Sequence, residues 1–278
     1  MERLATIAEW RDYASRQRSA GRSVGLVPTM GALHEGHVAL FRAARDAGDV
    51  VLATSFVNAR QFEDPVDLAA YPRDAARDAA LAEPLVDCLV EPDAAEMWPE
   101  GRATPTTVHV AGLGDVLEGA GRRGHFDGVA SVIAKLLAVT GPCRAYFGEK
   151  DYQQLCVVRQ MVADLGFDAT IVGCPTVRDA TGLAVSSRNA RLSAAGRDRA
   201  LGLSRALGVA SAPASEMRAA MAGEMANRGV DVAYAEVVDP VSLTPTGDDE
   251  AGERRAVVAG YVEGVRLIDN GAVTVRRG

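Results

Sequence analysis

Apolar residues along the first two thirds of the chain fall into two alternating textures. Residues 4–20 carry the spacing of a helix, and SVGLVPT (23–29) is a short uninterrupted apolar run that predicts a buried strand. HVALFRAARDAG (37–48) returns to helical spacing, with Leu40, Phe41 and Ala44 on one face and Gly48 as a stop signal. VVLATSFVN (50–58) and VDCLVEPD (86–93) predict further strands. Residues 128–139 set Val129, Val132, Ile133, Leu136 and Leu137 at helical intervals, and CRAYFGEK then predicts a strand running into a loop. Residues 151–165 place Leu155, Val158, Val162 and Leu165 on one helix face, and ATIVGCP (169–175) closes the series as a strand. Strands separated by helices imply βαβ units, hence a parallel sheet of the α/β class with helices on both faces.

Beyond about residue 176 the pattern changes. Two Ala-rich helical stretches, 194–210 and 215–228, are parted by SAPAS. VDVAYAEVV, RRAVVAGYV and GVRLID then predict three strands, the first two joined by the polar turn TPTGDDEAGE. Helices followed by strands describe a smaller C-terminal α+β domain. The expected division is 1–176 and 177–278.

Composition narrows the class. The apolar share of 48% and charged share of 24% match an ordinary globular chain rather than a disordered or fibrous one. Lys plus Arg is 30 against 37 for Asp plus Glu, a net charge of −7, and no basic stripe stands out; a nucleic-acid partner is not expected. Cys88, Cys143, Cys156 and Cys174 form no C-x-x-C pair and are expected as reduced, mostly buried small hydrophobes. The N-terminal MERLATIAEWRD is charged where a signal peptide would be apolar, and Lys135 interrupts the best apolar run, GVASVIAKLLAVTG. A cytosolic setting, without a membrane partner, is expected.

The chemistry concentrates in turns. No P-loop is present. One G-x-G-x-x-G occurs at Gly119, Gly121 and Gly124, but it follows VLEGA rather than a strand and lacks the downstream acid that grips a ribose, so it is taken as a flexible glycine loop. PTMGALHEGH (28–37) is more informative, since it joins the first strand to a helix. His34 and His37 are three residues apart and share a helix face, Gly31 and Gly36 admit close approach of backbone to a ligand, and the helix N-terminus adds free N–H groups. The run H-E-G-H is one residue short of the zincin pattern and no nearby Cys completes a ligand set, so no metal ligands are assigned. A bland alternative is that the histidines merely cap the helix. GEKD (148–151), VSSRN (185–189) and RRGHFDGV (122–129) supply further cations, hydroxyls and an imidazole, the first of them at the C-terminal edge of the sheet, where α/β proteins bind ligands. His109, in TTVHV, is taken as an ordinary strand residue.

Taken in order, VPTMGALHEGH, FVN..QF, YPRD, GHFDGV, YFGEKDYQQL, PTVRDATGLAVSSRN, VVDP and RLIDN resemble the pantothenate synthetase (pantoate–β-alanine ligase) family, within the HIGH-signature nucleotidyltransferase superfamily. The resemblance runs nearly end to end. It implies a Rossmann-like parallel sheet that binds nucleotide and pantoate, a C-terminal lid, and a two-step ligation in the cytoplasm. ATP, with Mg²⁺, and pantoate would give pantoyl adenylate and pyrophosphate; the β-alanine amine would then displace AMP. It further implies that Met30, Gly31, Ala32, Leu33, His34, Glu35, Gly36 and His37 line the ATP site, with His37 the proton donor and His34 and Lys150 beside it in catalysis. Gly148, Glu149, Lys150 and Asp151 would hold ATP, Lys150 on phosphate and Asp151 on ribose. Val177 would meet adenine through its backbone, and Val185, Ser186, Ser187 and Arg188 would form a second ATP segment. Gln61 and Gln154 would hold pantoate, Gln61 also β-alanine, with Asn58, Arg122 and His125 in support. A homodimer is implied as well.

Three departures stand out. The family's V-N-P-x-Q-F is here Val57-Asn58-Ala59-Arg60-Gln61-Phe62, which restores an N–H at 59 and adds a charge at 60. Its M-S-S-R begins here with Val185. In the stretch Asp74-Ala75-Ala76-Arg77-Asp78, Arg77 stands where an acid is expected, so Mg²⁺ would arrive mainly on ATP phosphates. The changes at Ala59, Arg60 and Val185 keep open a paralogous ligase that uses the same adenylation on another acid or amine.

Overall fold

The computed structural model describes residues 1–99 and 106–278. They divide into two compact units, Met1–Glu149 with Gln153–Pro175, and Lys150–Tyr152 with Thr176–Gly278.

The first unit starts with a strand that its sequence does not announce, β1 (Glu2–Leu4), three residues with one half-buried side chain. Helix α1 (Ile7–Ser19) therefore begins later than residue 4, at a capping box in which Thr6 and Glu9 satisfy each other's backbone N–H groups. β2 (Val24–Thr29), α2 (Glu35–Asp46) and β3 (Val50–Ser55) follow. The strand expected to reach 58 stops at Ser55, and Ala59–Gln61 forms a 3₁₀ turn. Three helices escape periodicity because each is short, eight residues at most: α3 (Pro65–Ala69), α4 (Ala75–Ala82) and α5 (Ala94–Met97), the last beyond β4 (Cys88–Val90). Asp64, Asp74 and Asp93 cap them, each carboxylate accepting a backbone N–H of the first turn.

The glycine motif at 119–124 is not a flexible loop. Glu118–Gly121 is a helical turn, α6, and the buried Gln153 accepts from Glu118 N–H at 3.0 Å while donating to the carbonyls of Leu113 and Val116. Gly124 then caps α7 (His125–Thr140) in a left-handed conformation. His109 lies outside any strand; its Nδ1 is 2.8 Å from Asp127 Oδ1 on α7, an exposed pairing that replaces the expected ladder. β5 (Cys143–Gly148), α8 (Tyr152–Leu165) and β6 (Ala169–Cys174) complete the set.

Among the described residues these strands form a six-stranded parallel sheet, ordered β1-β4-β3-β2-β5-β6. Alternate strand residues serve opposite faces. Leu26, Leu52, Ala145 and Phe147 pack with α1, α7 and α8, whereas Val27, Val51, Ala53 and Tyr146 pack with α2 and α4. Helices thus cover both faces, as a fully apolar parallel strand requires. The chain proceeds from β2 outward to β3 and β4, then returns to place β5 on the other side of β2. That reversal is the topological switch point, where doubly wound sheets open a crevice at the strands' C-terminal ends.

In the second unit, α9 (Ala194–Ala206) and α10 (Ala214–Asn227) pack on an antiparallel sheet of β7 (Asp231–Val238), β8 (Gly252–Val262) and β9 (Val265–Val275). Met217, Met221 and Met225 face Val237, Val258 and Leu267 in its core. The last strand continues past the expected residue 269 to Val275, paired with β8 along its length. Lys150–Tyr152 joins this unit through three contacts. Asn270 Nδ2 donates to the Lys150 carbonyl at 2.8 Å, Tyr152 Oη donates to Pro240 O at 3.0 Å, and the Arg255 guanidinium lies 4.0 Å from the Tyr152 ring centre.

Candidate active site

The loop after β2 is shaped by a single buried acid. Gly31 and Ala32 both take left-handed backbone angles, φ 73° and 50°, which turn consecutive N–H groups to one side. Asp78, 3% exposed on α4, accepts from Ala32 N–H at 2.7 Å and from Leu33 N–H at 2.8 Å. A Cβ on Gly31 would come within 2.9 Å of the same carboxylate, so the turn suits only glycine. Met30 is half-buried, Leu33 buried, and Glu35 exposed as the first residue of α2.

His34 and His37 do cap the helix, and the capping settles their chemistry. Gly36 N–H donates to His34 Nδ1 at 3.1 Å, and His34 N–H approaches His37 Nδ1 at 3.3 Å. A backbone N–H can only donate, so each Nδ1 is an acceptor, and the ring proton of each imidazole sits on Nε2. The rings lie 4.1 Å apart, centre to centre. Nε2–H donors beside a helix N-terminus are of the kind from which phosphate oxygens accept.

The loop after β3 builds a second group. Asn58, 1% exposed, donates from Nδ2 to Gln61 Oε1 and to Gly128 O, both at 3.0 Å. His125, also buried, has Nε2 3.0 Å from Arg122 Nη1 and Nδ1 2.8 Å from Gln61 O. Guanidinium only donates, so Nε2 accepts and Nδ1–H donates to the Gln61 carbonyl. Gln61 is therefore held by its side chain and its backbone alike. The turn 59–61 rests directly on α7 at Gly128, where any Cβ would fall 2.3 Å from Arg60 O. Gln154, half-buried on α8, has no side-chain hydrogen bond among the described residues.

After β5 ends at Gly148, Glu149, Lys150 and Asp151 form a 3₁₀ turn, with Lys150 Nζ 3.3 Å from Asp151 Oδ1. Within the second unit a small recess is lined by Lys150, Ala184, Ser186, Asn189 and Asp269. Ser186 Oγ accepts from Arg188 N–H at 3.3 Å, opening the turn Ser187–Arg191. Val185, Ser187 and Arg188 are half-buried and do not line the recess. The Val177 carbonyl accepts from Val185 N–H at 2.9 Å. Arg178 grips the buried Asp269 through both guanidinium ends at 2.6 and 2.9 Å, and this bond raises the Arg178 pKa above its ordinary value. Sequence alone gave no role to Asp78, Trp98, Gln153 or Asn270. Asn270 lies within the RLIDN motif, which was the available signal for it.

The model of the pantoate–β-alanine ligase family matches residues 2–272. The chain belongs to that family. Its relatives include a pantothenate synthetase of Cereibacter sphaeroides, 50% identical over 275 residues that cover 96% of this chain and 98% of the relative. Another, from Paracoccus denitrificans, is 48% identical with 97% of each chain covered. The crystal structure of pantothenate synthetase from Thermus thermophilus superposes with a TM-score of 0.89 at 45% identity, covering 98% of this chain and 99% of that one. The Francisella tularensis pantoate–β-alanine ligase, solved with β,γ-ATP and β-alanine, superposes with a TM-score of 0.81 at 32% identity, covering 98% and 97%. As a member of the ligase family, the chain is an enzyme that forms an amide bond. Among the described residues no helix is long and apolar enough to cross a membrane.

Proposed function

We propose that this chain joins pantoate to β-alanine at the expense of ATP. A pantoate carboxylate oxygen attacks the α-phosphorus as the bond to pyrophosphate breaks. The β-alanine nitrogen then attacks the acyl carbon, forming C–N and breaking C–O; AMP leaves and the nitrogen sheds its proton. A carboxylate is a poor electrophile, and adenylation gives it a leaving group. The observation that carries this reading is the pairing of His34 and His37 at the N-terminus of α2, next to the switch point, with two Nε2–H donors defined by their own caps. Such an array stabilises charge building on phosphate oxygens without forming a covalent bond to them.

Within the first unit we assign Met30–His37 to ATP, with His37 as proton donor, and Gln61 and Gln154 to pantoate, Gln61 serving β-alanine too. Gly148 and Glu149 continue the nucleotide site. Within the second unit Lys150, Ser186, Ser187 and Arg188 take phosphate oxygens, Asp151 the ribose, and Val177 the adenine through its N–H, since its carbonyl is engaged. Mg²⁺ enters with ATP. Among the described residues no three His, Cys, Asp or Glu side chains converge as a metal cage, and both oxygens of Asp78 accept backbone N–H groups. We assign the assembly as a homodimer, to be checked by sedimentation equilibrium.

The competing acid–amine ligase rested partly on the added charge at Arg60. That guanidinium lies 3.8 Å from the Trp98 ring centre and its Nη1 is 3.4 Å from Thr106 O, which weighs against a part in choosing the acid. The test is AMP formation by purified protein. It is expected only when ATP, pantoate and β-alanine are all present, with one equivalent of pyrophosphate released when β-alanine is omitted. Well-folded protein that turns over another acid and amine faster, or none, overturns the proposal.

A further inference from the structure

A primary amide can face its ligand with an acceptor oxygen or with two N–H donors, and the two faces select opposite chemistries. For Gln61 the choice is made by a chain of groups that ends far from it in sequence. One end is Trp98, whose indole N–H can only donate; the other is the Gly128 backbone carbonyl, which can only accept. Trp98 Nε1 donates to Asn58 Oδ1 at 3.1 Å. That turns Asn58 Nδ2 toward Gly128 O at 3.0 Å and, with its second hydrogen, toward Gln61 at 3.0 Å. The Gln61 atom that meets this N–H must be its oxygen. Its NH₂ group then points the other way, and among the described residues it has no hydrogen-bond partner.

The chain is rigidly held. Asn58 is 1% exposed. The Trp98 ring lies 3.8 Å from the Arg60 guanidinium and 5.4 Å from Lys135 Nζ, and Lys135 also donates to the carbonyls of Glu96 and Met97 just before it. Reversing Gln61 would oppose two N–H groups at Asn58. Reversing Asn58 as well would oppose its NH₂ to the Trp98 N–H and leave the Gly128 carbonyl facing an oxygen. Each mismatch forfeits a buried hydrogen bond.

We infer that Trp98 is a positioning residue which, through Asn58, locks the Gln61 amide with its two N–H donors toward the substrate, so that the site selects an acceptor-only group, a carboxylate, over a group that must donate. The inference rests on the reading of Gln61 as an acid-binding residue. It adds to that reading the direction of the amide and the residue that sets it.

The test uses full-length enzyme and compares Trp98→Phe with a variant carrying 3-benzothienylalanine at position 98, which keeps the size of indole and lacks its N–H. Both are expected to raise the KM for pantoate about tenfold, the loss of one oriented hydrogen bond, and to leave the KM for ATP within twofold. Inhibition by the primary amide of pantoate is the readout that a packing role would not move. Its affinity relative to the acid should rise in both variants, because the Gly128 carbonyl alone then opposes the turning of Asn58 and Gln61 together. In a Gln61→Ala background, Trp98→Phe should change the pantoate KM less than twofold further. An equal effect in that background shows that Trp98 acts through packing and overturns the inference. An unchanged pantoate KM in both Trp98 variants overturns it too, even where Gln61→Ala itself is impaired. If Gln61→Ala binds pantoate normally, the acid-binding reading of Gln61 fails and takes this inference with it.

Discussion

Asp78 shows how one buried side chain can shape a loop. It holds the N–H groups of Ala32 and Leu33, and with them the left-handed turn that leads into the histidine pair. Asp78→Asn turns one accepting oxygen into a donor that faces an N–H. Hydrogen bonds to a charged group are worth about 1.5–3 kcal/mol, so stability should fall by about that amount in urea unfolding. Release of pyrophosphate should slow at least about tenfold as the loop loses its set geometry. A parental rate with lowered stability would confine Asp78 to a structural part. The sequence showed this acid only as a member of the stretch after YPR, where Arg77 in place of an acid argued against a protein ligand for Mg²⁺. Its partners lie more than forty residues earlier, and no local pattern carries such a pairing. The histidine pair was legible, because His34, Gly36 and His37 are near neighbours and their geometry follows from one helix start. Even there, the bland capping alternative describes the Nδ1 atoms, which accept from the backbone N–H groups of the helix start.

At the scale of elements, long apolar strands and helices with a regular buried face were readable, while short pieces were not. β1 exposes most of its three residues and exists because β4 offers an open edge. His109 lies in a stretch whose β-branched and alternating residues mimic a strand, yet among the described residues no strand pairs with it. The seat of the 59–61 turn on α7 was equally hidden, although GHFDGV was among the recognisable motifs. Gly128→Ala tests it. Alanine favours a helix over glycine by about 1 kcal/mol, but the new Cβ would stand 2.3 Å from Arg60 O and 2.7 Å from Gln61 N, both backbone atoms that no rotamer can clear. Overlap should win, lowering stability by about 1–3 kcal/mol and raising the pantoate KM about tenfold, with the ATP KM little changed. Parental kinetics in this variant would mean that the turn does not need that seat.

At the scale of the whole molecule, two pairs respond to pH with opposite sign. Asp49 lies at the sheet's N-terminal side, bonded to the Arg144 guanidinium and, at 2.6 Å, to the Tyr146 hydroxyl. Burial pushes its pKa up, but hydrogen bonds from Arg144, Ser23 and Tyr146 outweigh burial and hold it below 3.8. A lowered folded pKa means that the stabilisation is complete above the unfolded value and disappears as pH falls through the folded one. His109 runs the other way. Its hydrogen bond to Asp127 raises its pKa above 6.5, so its contribution is complete below that value and is lost as pH rises through the raised one. The pair is exposed and worth less than about 1 kcal/mol. Urea midpoints should therefore fall slightly on the alkaline side and steeply on the acid side. Asp49→Asn should lower stability at neutral pH by about 2 kcal/mol and flatten the acid limb. An unchanged acid limb in that variant would assign the acid sensitivity to other carboxylates.

Only two indoles occur in the chain, and their surroundings differ. Trp10 is sealed in the apolar core of the first sheet, whereas Trp98 lies beneath a guanidinium and donates its N–H to Asn58. Excited indole responds to nearby charge and to the fate of its N–H. With Trp10 exchanged for Phe, the remaining emission becomes a native fluorophore two hydrogen bonds away from the Gln61 amide that we assign to the acid. Occupancy of that amide can then be followed in real time without attaching a dye.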